Sequence, residues 1–390
     1  MAALAGSPEQ SELARHVADT MAALTKIYDR GYFLTCWREQ RFEAELWSRM
    51  GELGLFSVGV PEEQGGMGGG LAGMVQVLDG LSSAGLPTML YSLTCFSRTP
   101  ILRHGTPEQI ERFVKPTMSG EKKIAFAITE PDAGTNTFRI ATKATPHKGG
   151  WRLNGAKVFT SAANHAELMM VIARTRPYTP GASRREGISV FVIDTNHPGV
   201  QMTPLNIELY SPEQQFQVFF NDVDVGPEAL IGPEGQGMET MFDALNPERL
   251  LSAVLCIGVG DFALAKTIDY VKQRAPFGRP IGAYQGVQHP MARAKAHLDA
   301  ARLMTYYSAH AFDAGGNVAA TANMAKYLGA QASVEAVDAA IQFHGGYGFD
   351  ADYDVITLWP IVRLFKVAPL NDEMILNYIG EHVLGLPKSY

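Results

Sequence analysis

The apolar residues in the first third of the chain recur at helical spacing. From about Glu9 to Gly120 hydrophobic side chains fall three and four positions apart, and Ser, Thr or Pro stands near the expected helix starts, as in TPEQIERFVKPTMSG. One interruption, VPEEQGGMGGG at Val60–Gly70, is too rich in glycine to continue a helix and predicts a mobile turn. We therefore expect a helical N-terminal domain over residues 1–122.

The pattern changes between Lys123 and Gly232. Short runs of β-branched and aromatic residues follow one another there, separated by Gly, Pro, Asn and Asp: IAFAIT, WRLNGAKVFT, LMMVIART, ISVFVID and FQVFFNDVDV. These runs have the length of strands, which predicts a small β-domain over residues 123–233. The segment RPYTPGASRREG offers little apolar surface to bury, and we expect a disordered loop there.

Long amphipathic segments return from Gly235 onward. The segment ERLLSAVLCIGVGDFALAKTIDYVKQRA alone is longer than an average globular helix, and its Gly258 and Gly260 permit close contact with a neighbouring helix. The pattern predicts a four-helix bundle over residues 234–390 with a short tail, GEHVLGLPKSY.

Composition and charge narrow the class of protein. Of the 390 residues 46% are apolar, and 33 Lys and Arg against 40 Asp and Glu give a formal net charge of −7. A disordered chain would be poorer in apolar residues, so we expect a soluble globular protein of two to three domains at about 100–200 residues each. Nucleic-acid binding needs a clustered Lys/Arg surface, which the sequence lacks, so we expect no nucleic-acid partner.

The cysteines and the N-terminal stretch indicate the compartment. Cys36, Cys95 and Cys256 lie far apart and without CxxC spacing, which supports neither a disulfide framework nor a zinc site. The first residues lack a basic segment followed by an apolar one, and no run approaches the roughly 18 apolar residues of a membrane helix. We expect a cytoplasmic protein with no membrane partner.

Several common catalytic motifs are absent from the sequence. It contains no GxGxxG after a predicted strand, no GxxxxGK[ST], no HExxH and no GxSxG. His344 and His382 have no second ligand at helical spacing, so a structural or surface role is the simpler interpretation. We assign no metal.

Four segments, in order along the chain, resemble motifs of the FAD-dependent acyl-CoA dehydrogenase family. AFAITEPDAGTN and NGAKVFTSAANHAELMMVIA are similar to that family's middle domain, and RAPFGRPIGAYQ and QFHGGYGF are similar to its C-terminal flavin motifs. The resemblance covers almost the whole chain. It implies an acyl-CoA dehydrogenase-like fold, with an N-terminal all-α domain, a middle β-barrel-like domain and a C-terminal four-helix bundle.

The same resemblance implies an activity. Members of the family are oxidoreductases that convert an acyl-CoA thioester to a trans-2-enoyl-CoA with FAD and pass the electrons to an electron-transfer flavoprotein. The resemblance also favours a homo-oligomer, a tetramer built as a dimer of dimers, because family members use some of these motifs on the neighbouring subunit's flavin.

The two middle-domain segments would hold the flavin ring. Small and hydroxylated residues at a strand end offer backbone amides and hydroxyls to a flat polar ring. A plain edge of the β-core would explain either segment alone, but their pairing favours a flavin site. By resemblance Phe159 is the aromatic ring that covers the flavin, Thr135 contacts the CoA ligand, and the ring is lined by Phe126, Ile128, Thr129, Thr160 and Ser161.

The two C-terminal segments would hold the rest of the cofactor. Arg274 is suited to charge-assisted bonds with a pyrophosphate, Phe277 to packing against the adenosine half, and Gln285 to a hydrogen bond. The resemblance implies that Gln342 and Gly346 contact the pyrophosphate, where a glycine backbone approaches most closely. Gly345–Gly346 also fits a helix C-cap, and both roles are compatible.

Desaturation between Cα and Cβ requires a carboxylate that removes the α-proton. Aligned without gaps, PLNDEMI puts Pro369 at the family's commoner base position, where proline supplies neither a carboxylate nor the backbone N–H that would bind the thioester oxygen. In the isovaleryl and long-chain branches the base precedes an arginine on a C-terminal helix, and here Glu248 precedes Arg249. The resemblance therefore implies Glu248 as the catalytic base.

An ordinary helix start is the alternative interpretation of this segment. Asn246 as N-cap, Pro247 at the first position and Glu248 in the first turn form a typical helix N-terminus. By resemblance Asn246 and Arg249 contact the pantetheine region of CoA, and Asn371 and Glu373 contact the flavin.

Other functions remain open at this point. The altered base position also fits the same fold and flavin with different chemistry, as in an enoyl-CoA reductase or an acyl-CoA desulfinase. A catalytically degenerate subunit that binds CoA ligands is a third possibility. The sequence does not indicate acyl chain length, for which Met89, Tyr91, Phe96 and Leu250 are only candidate lining residues.

Overall fold

A computed structural model describes residues 8–178 and 183–389, in which helices come first, a β-sheet follows and helices return. The predicted order of helical, β and helical parts is confirmed. The predicted disordered loop, residues 176–187, includes residues 179–182, which lie outside the described residues.

The N-terminal part is helical, and local capping explains several of its boundaries. Asp29 accepts a hydrogen bond from Tyr32 N at 2.9 Å and caps the second helix, while Thr106 and Gln109 form a capping box. The predicted turn at Val60–Gly70 ends where the fourth helix begins. The helices are α1 (Pro8–Leu24), α2 (Arg30–Arg38), α3 (Ala44–Glu52), α4 (Gly70–Ser83), α5 (Met89–His104), α6 (Pro107–Gln109) and α7 (Lys115–Met118).

The middle part is one eight-stranded sheet. Its strands are β1 (Ile124–Ala127), β2 (Lys143–His147), β3 (Gly150–Ser161), β4 (Leu168–Arg174), β5 (Ile188–Asp194), β6 (Val200–Pro204), β7 (Gln215–Val225) and β8 (Leu230–Ile231). The order across the sheet is β6-β7-β3-β2-β4-β5-β8, and β1 pairs in parallel with β4. Every residue of β4 is buried, as expected for a strand that is covered on both faces.

The C-terminal part is helical. It comprises α8 (Gly237–Gln273), α9 (Gln285–Asp313), α10 (Ala319–His344), α11 (Trp359–Leu364) and α12 (Asp372–Tyr378). The predicted close approach at the two glycines of α8 is present. A Cβ on Gly258 would lie 2.5 Å from Ser82 Cβ, and one on Gly260 would lie 3.1 Å from Ser333 Cα.

Helix α8 is the central element of the molecule. It packs against α4, α5, α9 and α10, and its N-terminal end is tied to α5 by Asp243, which accepts hydrogen bonds from Arg103 and pairs with His104 at 2.7 Å. In the described part of the chain it is the one helix long and apolar enough to cross a bilayer, and 72% of its most apolar window is buried inside the protein. Such burial identifies α8 as a core helix.

Candidate active site

Glu248 lies in the first third of α8 and is half-buried. Burial raises the pKa of its carboxyl to about 7, and the neighbouring Arg249 only partly opposes that shift. Within residues 8–178 and 183–389 its carboxylate has no hydrogen bond or ion pair. A carboxylate with a pKa near neutrality and no fixed partner is suited to accept a proton.

The alternative interpretation of this segment as a helix start is wrong. Helix α8 begins at Gly237, so Asn246 and Pro247 lie well inside the helix rather than at its first turn. The apolar positions Met238, Met241 and Ala244 are buried and extend the helix upstream. A proline inside the helix removes one intrahelical hydrogen bond but does not end α8 here.

Arg249 is held by its own helix. Its Nη1 donates to Asn246 Oδ1 at 2.8 Å, one helical turn away. Burial lowers the pKa of the guanidinium, and the charge of Glu248 partly opposes that shift. Three residues implied by the resemblance, Asn246, Glu248 and Arg249, thus lie within one helical turn.

The turn before α12 joins two further predicted residues. Asn371 caps α12 by accepting from Met374 N at 2.9 Å, and its Nδ2 donates to Thr135 Oγ1 at 3.1 Å. The preceding Ala368–Pro369 peptide bond is cis. The Asn371–Thr135 hydrogen bond joins the turn before α12 to the loop after β1, and we call the surface formed by these two residues the Asn371–Thr135 wall.

A buried polar network supports this turn and was missed by sequence reasoning. Lys326 of α10 is 1% exposed, donates to Leu370 O at 2.6 Å and lies 3.5 Å from Asp372 Oδ1. Gln331 Nε2 donates to Asp372 Oδ2 at 2.9 Å, and Lys366 Nζ donates to Gln331 Oε1 at 2.9 Å. A lysine within a helical pattern gives no signal of burial, and only its neighbours in the fold reveal it.

The predicted flavin-ring residues come together at the ends of β1 and β3. Val158 N donates to Thr129 O at 2.9 Å, which sets Phe159, Thr160 and Ser161 beside Ile128 and Thr129. Phe126, on β1, is buried and packs edge-on against Phe96 of α5 at 5.2 Å between ring centroids. Both predicted segments therefore contribute to one surface.

A buried ion pair between Lys157 and Glu130 supports that surface from inside the protein. Lys157, which is fully buried, donates to Glu130 Oε1 at 2.8 Å and to Ile128 O at 2.9 Å. Burial lowers the pKa of the lysine to about 8 despite the opposing effect of Glu130. Glu130 also accepts from Ala141 N and Thr142 N, at 2.6 Å and 3.0 Å. The sequence analysis did not single out either charged residue.

Phe159 projects outward from an irregularity in β3. The register between β3 and β7 shifts between Lys157 and Thr160, and Phe159 has φ of 58°, a left-handed conformation that is uncommon for a bulky residue. Its ring is 58% exposed. Thr160 Oγ1 is buried and has no hydrogen-bond partner in the part of the chain that the structure describes, and Ser161 Oγ donates to Gln215 Oε1 at 2.9 Å. The bulge thus presents an uncovered aromatic ring beside Thr129.

The other predicted cofactor residues lie at the opposite end of α8. Arg274 is the C-cap of α8, Phe277 is 80% exposed and Gln285 opens α9. The Tyr270 and His344 rings stack at 4.2 Å, which brings the end of α10, with Gln342 and Gly346, to the same end of the bundle. His344 is buried in this stack, so its predicted structural role is confirmed.

Glu248 and Arg274 lie at well-separated positions along α8. Twenty-six positions of helix separate Glu248 from Arg274, which corresponds to about 39 Å at about 1.5 Å per residue. Glu373 lies on α12, two positions after Asn371, and is exposed.

Tyr91 was a candidate for lining the acyl chain. It packs against Phe56 of the N-terminal part, at 5.9 Å between ring centroids.

Comparison with known proteins identifies the family. Three family models match successive parts of the chain: the acyl-CoA dehydrogenase N-terminal domain over residues 7–121, the middle domain over 125–223 and the C-terminal domain over 235–384. The chain belongs to the acyl-CoA dehydrogenase family. It is therefore an oxidoreductase of that family's fold, as the sequence analysis expected.

Individual acyl-CoA dehydrogenases and a reductase resemble the chain over most of its length. Acyl-CoA dehydrogenase FadE12 of Mycobacterium tuberculosis is 39% identical over 384 residues, 98% of each chain. A 3-(aryl)acrylate reductase of Clostridium sporogenes is 30% identical over 353 residues, 88% of this chain and 91% of the relative. The structure of butyryl-CoA dehydrogenase from Megasphaera elsdenii superposes with a TM-score of 0.88 at 26% identity, covering 97% of this chain and 99% of that one.

The residues of this acyl-CoA dehydrogenase fit the flavin cofactor that the family implies. The exposed Phe159 side chain offers an apolar face, and the Val158–Thr129 backbone hydrogen bond brings Thr129 next to this part of β3. At the far end of α8, a Cβ on Gly345 or Gly346 would meet no atom within 4 Å, so the backbone is open to a phosphate. Gly345 is also the C-cap of α10, with φ of 62°, so the C-cap role is present too.

Proposed function

We propose that this protein dehydrogenates an acyl-CoA thioester to a trans-2-enoyl-CoA with FAD, with Glu248 as the base that removes the α-proton. The observation that carries this proposal is the half-buried Glu248 carboxyl, which has a pKa of about 7 and no hydrogen-bond partner in the described structure. Family membership supplies the reaction class, and Glu248 supplies a group suited to its first step.

The α-proton moves to a Glu248 carboxylate oxygen. Above pH 7 the carboxylate is mostly ionised, and its limited contact with water strengthens it as a base compared with an exposed glutamate. The positive charge of Arg249, which donates to Asn246 at 2.8 Å, partly opposes the rise in the pKa of the Glu248 carboxyl and so favours its ionised form. Bound FAD would supply the acceptor for the hydride that leaves the β-carbon.

The remaining residues bind and orient. Phe159 would cover one face of the flavin ring, with Ile128, Thr129, Thr160 and Ser161 along its edge. Thr135 and Asn371, joined at 3.1 Å, would contact the CoA ligand and the flavin from one wall of the site. Because Phe126 is packed against Phe96, it would support the ring from the protein side rather than cover it.

A second candidate is an enoyl-CoA reductase, in which the same residues bind the same ligands and hydride moves in the opposite direction. The observation that favours it is the similarity to a 3-(aryl)acrylate reductase. Pro369 does not distinguish the two directions, because both pass through one transition state and a proline has no N–H with which to polarise the thioester oxygen in either. Loss of one such donor costs roughly 10²–10³ in rate when no other group replaces it.

We further infer a homo-oligomer, of which a tetramer is the expected form. About 39 Å of α8 separates Glu248 from Arg274, so the residues at these two positions serve different flavins if each does what the resemblance implies. Gln342 and Gly346 would then contact the cofactor of a neighbouring subunit. An electron-transfer flavoprotein in the cytoplasm is the proposed electron acceptor.

The test is the visible spectrum of the purified protein before and after anaerobic addition of short, medium, long and branched acyl-CoAs. Loss of the flavin absorption with one class of thioester supports dehydrogenation and identifies that class. A flavin band that no saturated thioester bleaches, together with reoxidation of chemically reduced flavin by an enoyl-CoA, supports the reductase instead. If the purified protein contains no flavin, the result supports the third interpretation, a catalytically degenerate subunit that binds CoA ligands.

Two variants of α8 test whether Glu248 itself is the catalytic base. Glu248→Gln should retain the FAD band and lose bleaching by at least about 10²-fold, as expected for loss of a general base. Glu239→Gln changes an exposed glutamate on the same helix and should bleach at the wild-type rate. Unchanged bleaching in Glu248→Gln would refute the assignment of the base.

A further inference from the structure

The strongest feature that the mechanism leaves unused is the buried lysine behind the Asn371 turn. Lys326 lies on α10 and is 1% exposed, and its ammonium group donates to Leu370 O at 2.6 Å. Burial lowers the pKa of this lysine, while Asp372 at 3.5 Å partly offsets the shift. Replacing a buried ion pair by apolar side chains is often neutral or stabilising, so stability alone is a weak reason for a lysine here.

The hydrogen bond from Lys326 to Leu370 O also constrains the residue after Leu370, which is Asn371. The carbonyl of Leu370 and the N and Cα of Asn371 share one peptide plane, so a fixed carbonyl fixes the plane and the direction in which Asn371 leaves it. Asn371 then uses both polar atoms of its side-chain amide. Oδ1 accepts from Met374 N and caps α12, and Nδ2 donates to Thr135 Oγ1 at 3.1 Å. Pro369, which precedes Leu370, has no N–H to help hold the turn.

The second lysine near Asp372 does not make this contact. Lys366 lies 3.5 Å from Asp372 Oδ2 and donates to Gln331 Oε1 at 2.9 Å, with its side chain 26% exposed. Gln331 in turn donates to Asp372 Oδ2 at 2.9 Å. Of these two cationic neighbours of Asp372 in the described part of the chain, Lys326 is the one whose side chain donates to the backbone of the turn. Lys366 accepts from Asp372 N at 3.2 Å through its main-chain carbonyl, a bond that a change of its side chain leaves in place.

We propose that Lys326 is a positioning residue of the active site, which sets the Leu370–Asn371 peptide and through it the Asn371–Thr135 wall against which the CoA ligand binds. This inference rests on the proposed function, because the role of Thr135 in CoA binding belongs to that proposal. Lys326 touches neither substrate nor cofactor. It acts on the site through its bond to Leu370 O and the Asn371 that follows.

The experiment compares Lys326→Met with its matched control Lys366→Met in the FAD-containing protein. Backbone amide exchange of residues 370–374 and the Kd for free coenzyme A are measured in both. Lys326→Met should exchange these amides roughly tenfold faster and bind CoA roughly three- to tenfold more weakly, which corresponds to the loss of about one hydrogen bond. Lys366→Met should stay within about twofold of wild type in both measurements.

Two double variants keep the test decisive. Lys326→Met with Asp372→Asn removes both buried charges, so it should fold even where the single variant does not, and it should still bind CoA weakly. Lys326→Met with Asn371→Ala should bind CoA no more weakly than Asn371→Ala alone, because both changes act through one wall.

Three outcomes would overturn the inference. They are wild-type exchange and CoA affinity in Lys326→Met, equal effects in Lys366→Met, and additive losses in the double variant with Asn371→Ala. A wild-type protein that binds no CoA would instead refute the proposed function, and the exchange measurement would still decide whether Lys326 positions the turn.

Discussion

Asn371 Nδ2 and Thr135 Oγ1 lie 3.1 Å apart although 236 positions separate them in sequence. The hydrogen bond joins the C-terminal helical domain to the loop that follows β1. It places a predicted flavin contact and a predicted CoA contact in one wall. The wall therefore depends on the docking of two domains rather than on either one alone.

Removing either partner of this bond should weaken CoA binding but affect stability differently. Thr135→Val and Asn371→Ala should each raise the Kd for CoA about three- to tenfold, the effect of one lost hydrogen bond. Asn371→Ala also removes the cap of α12 and should lower the unfolding free energy by about 1 kcal/mol, whereas Thr135→Val should not. Titration calorimetry and denaturant unfolding measure the two effects, and equal destabilisation by both variants would contradict the assignment.

The pH dependence of the reaction should follow the ionisation of Glu248. Because the base must be ionised, kcat/KM should rise with pH through about 7, the pKa of the Glu248 carboxyl. Arg249 lowers that pKa, so Arg249→Gln should move the acidic limb of the profile to higher pH. Lys272→Gln, at the far end of α8, should leave the limb in place, and a downward shift in Arg249→Gln would argue against Glu248 as the titrating base.

The Lys157–Glu130 pair should be costly to break from one side. Lys157→Met leaves the Glu130 carboxylate buried with only backbone donors and should destabilise the protein by about 3–5 kcal/mol. Lys157→Met with Glu130→Gln removes both charges and should recover a large part of that loss. Denaturant unfolding of the flavin-free variants measures this. An unchanged loss in the double variant would show that packing, not charge, dominates.

Two buried carboxyls near the start of α5 should make the protein less stable at higher pH. Glu43 is fully buried, both its carboxylate oxygens lack a hydrogen-bond partner among the described residues, and burial raises its pKa to about 7. Burial and the nearby Glu43 also raise the pKa of Glu213, whose carboxylate accepts from Met89 N and Leu90 N. Lys123 opposes the shift at Glu43.

A carboxyl with a raised pKa binds its proton more tightly in the folded state, so stability falls as pH rises from about 4.5 to about 7. Glu43→Gln should therefore stabilise the protein at pH 8 relative to wild type, by on the order of 1–3 kcal/mol, and have less effect at pH 5. Thermal unfolding at both pH values measures the difference. Equal effects at the two pH values would contradict this prediction.

Much of the fold could be predicted because its signals are local. The strand runs around Phe126 and Phe159, the glycine pair of α8 and the turn at Val60–Gly70 are each encoded in a few neighbouring residues. The alternative interpretation of Asn246 and Pro247 as a helix start is wrong because these residues carry that local signal inside a longer helix. Burial of Met238 and Met241 against the rest of the protein outweighs that signal.

The supporting parts of the site could not be predicted, because they depend on contacts across the fold. Lys157 and Lys326 are ordinary residues of a strand and a helix until Glu130 and Asp372 are placed beside them. The left-handed conformation of Phe159 follows from a register shift between β3 and β7. Local propensity disfavours that conformation for a phenylalanine, so only the paired strands reveal it.

The length of α8 has a consequence for how the protein acquires its cofactor. If the Glu248 end serves one flavin and the Arg274 end serves another, a single folded chain holds only part of each site. Assembly and cofactor loading then form one linked equilibrium, since a ligand that binds only the assembled state stabilises that state. Dilution would release flavin, added FAD would oppose the dissociation of subunits, and the yellow colour of a solution would report its state of association.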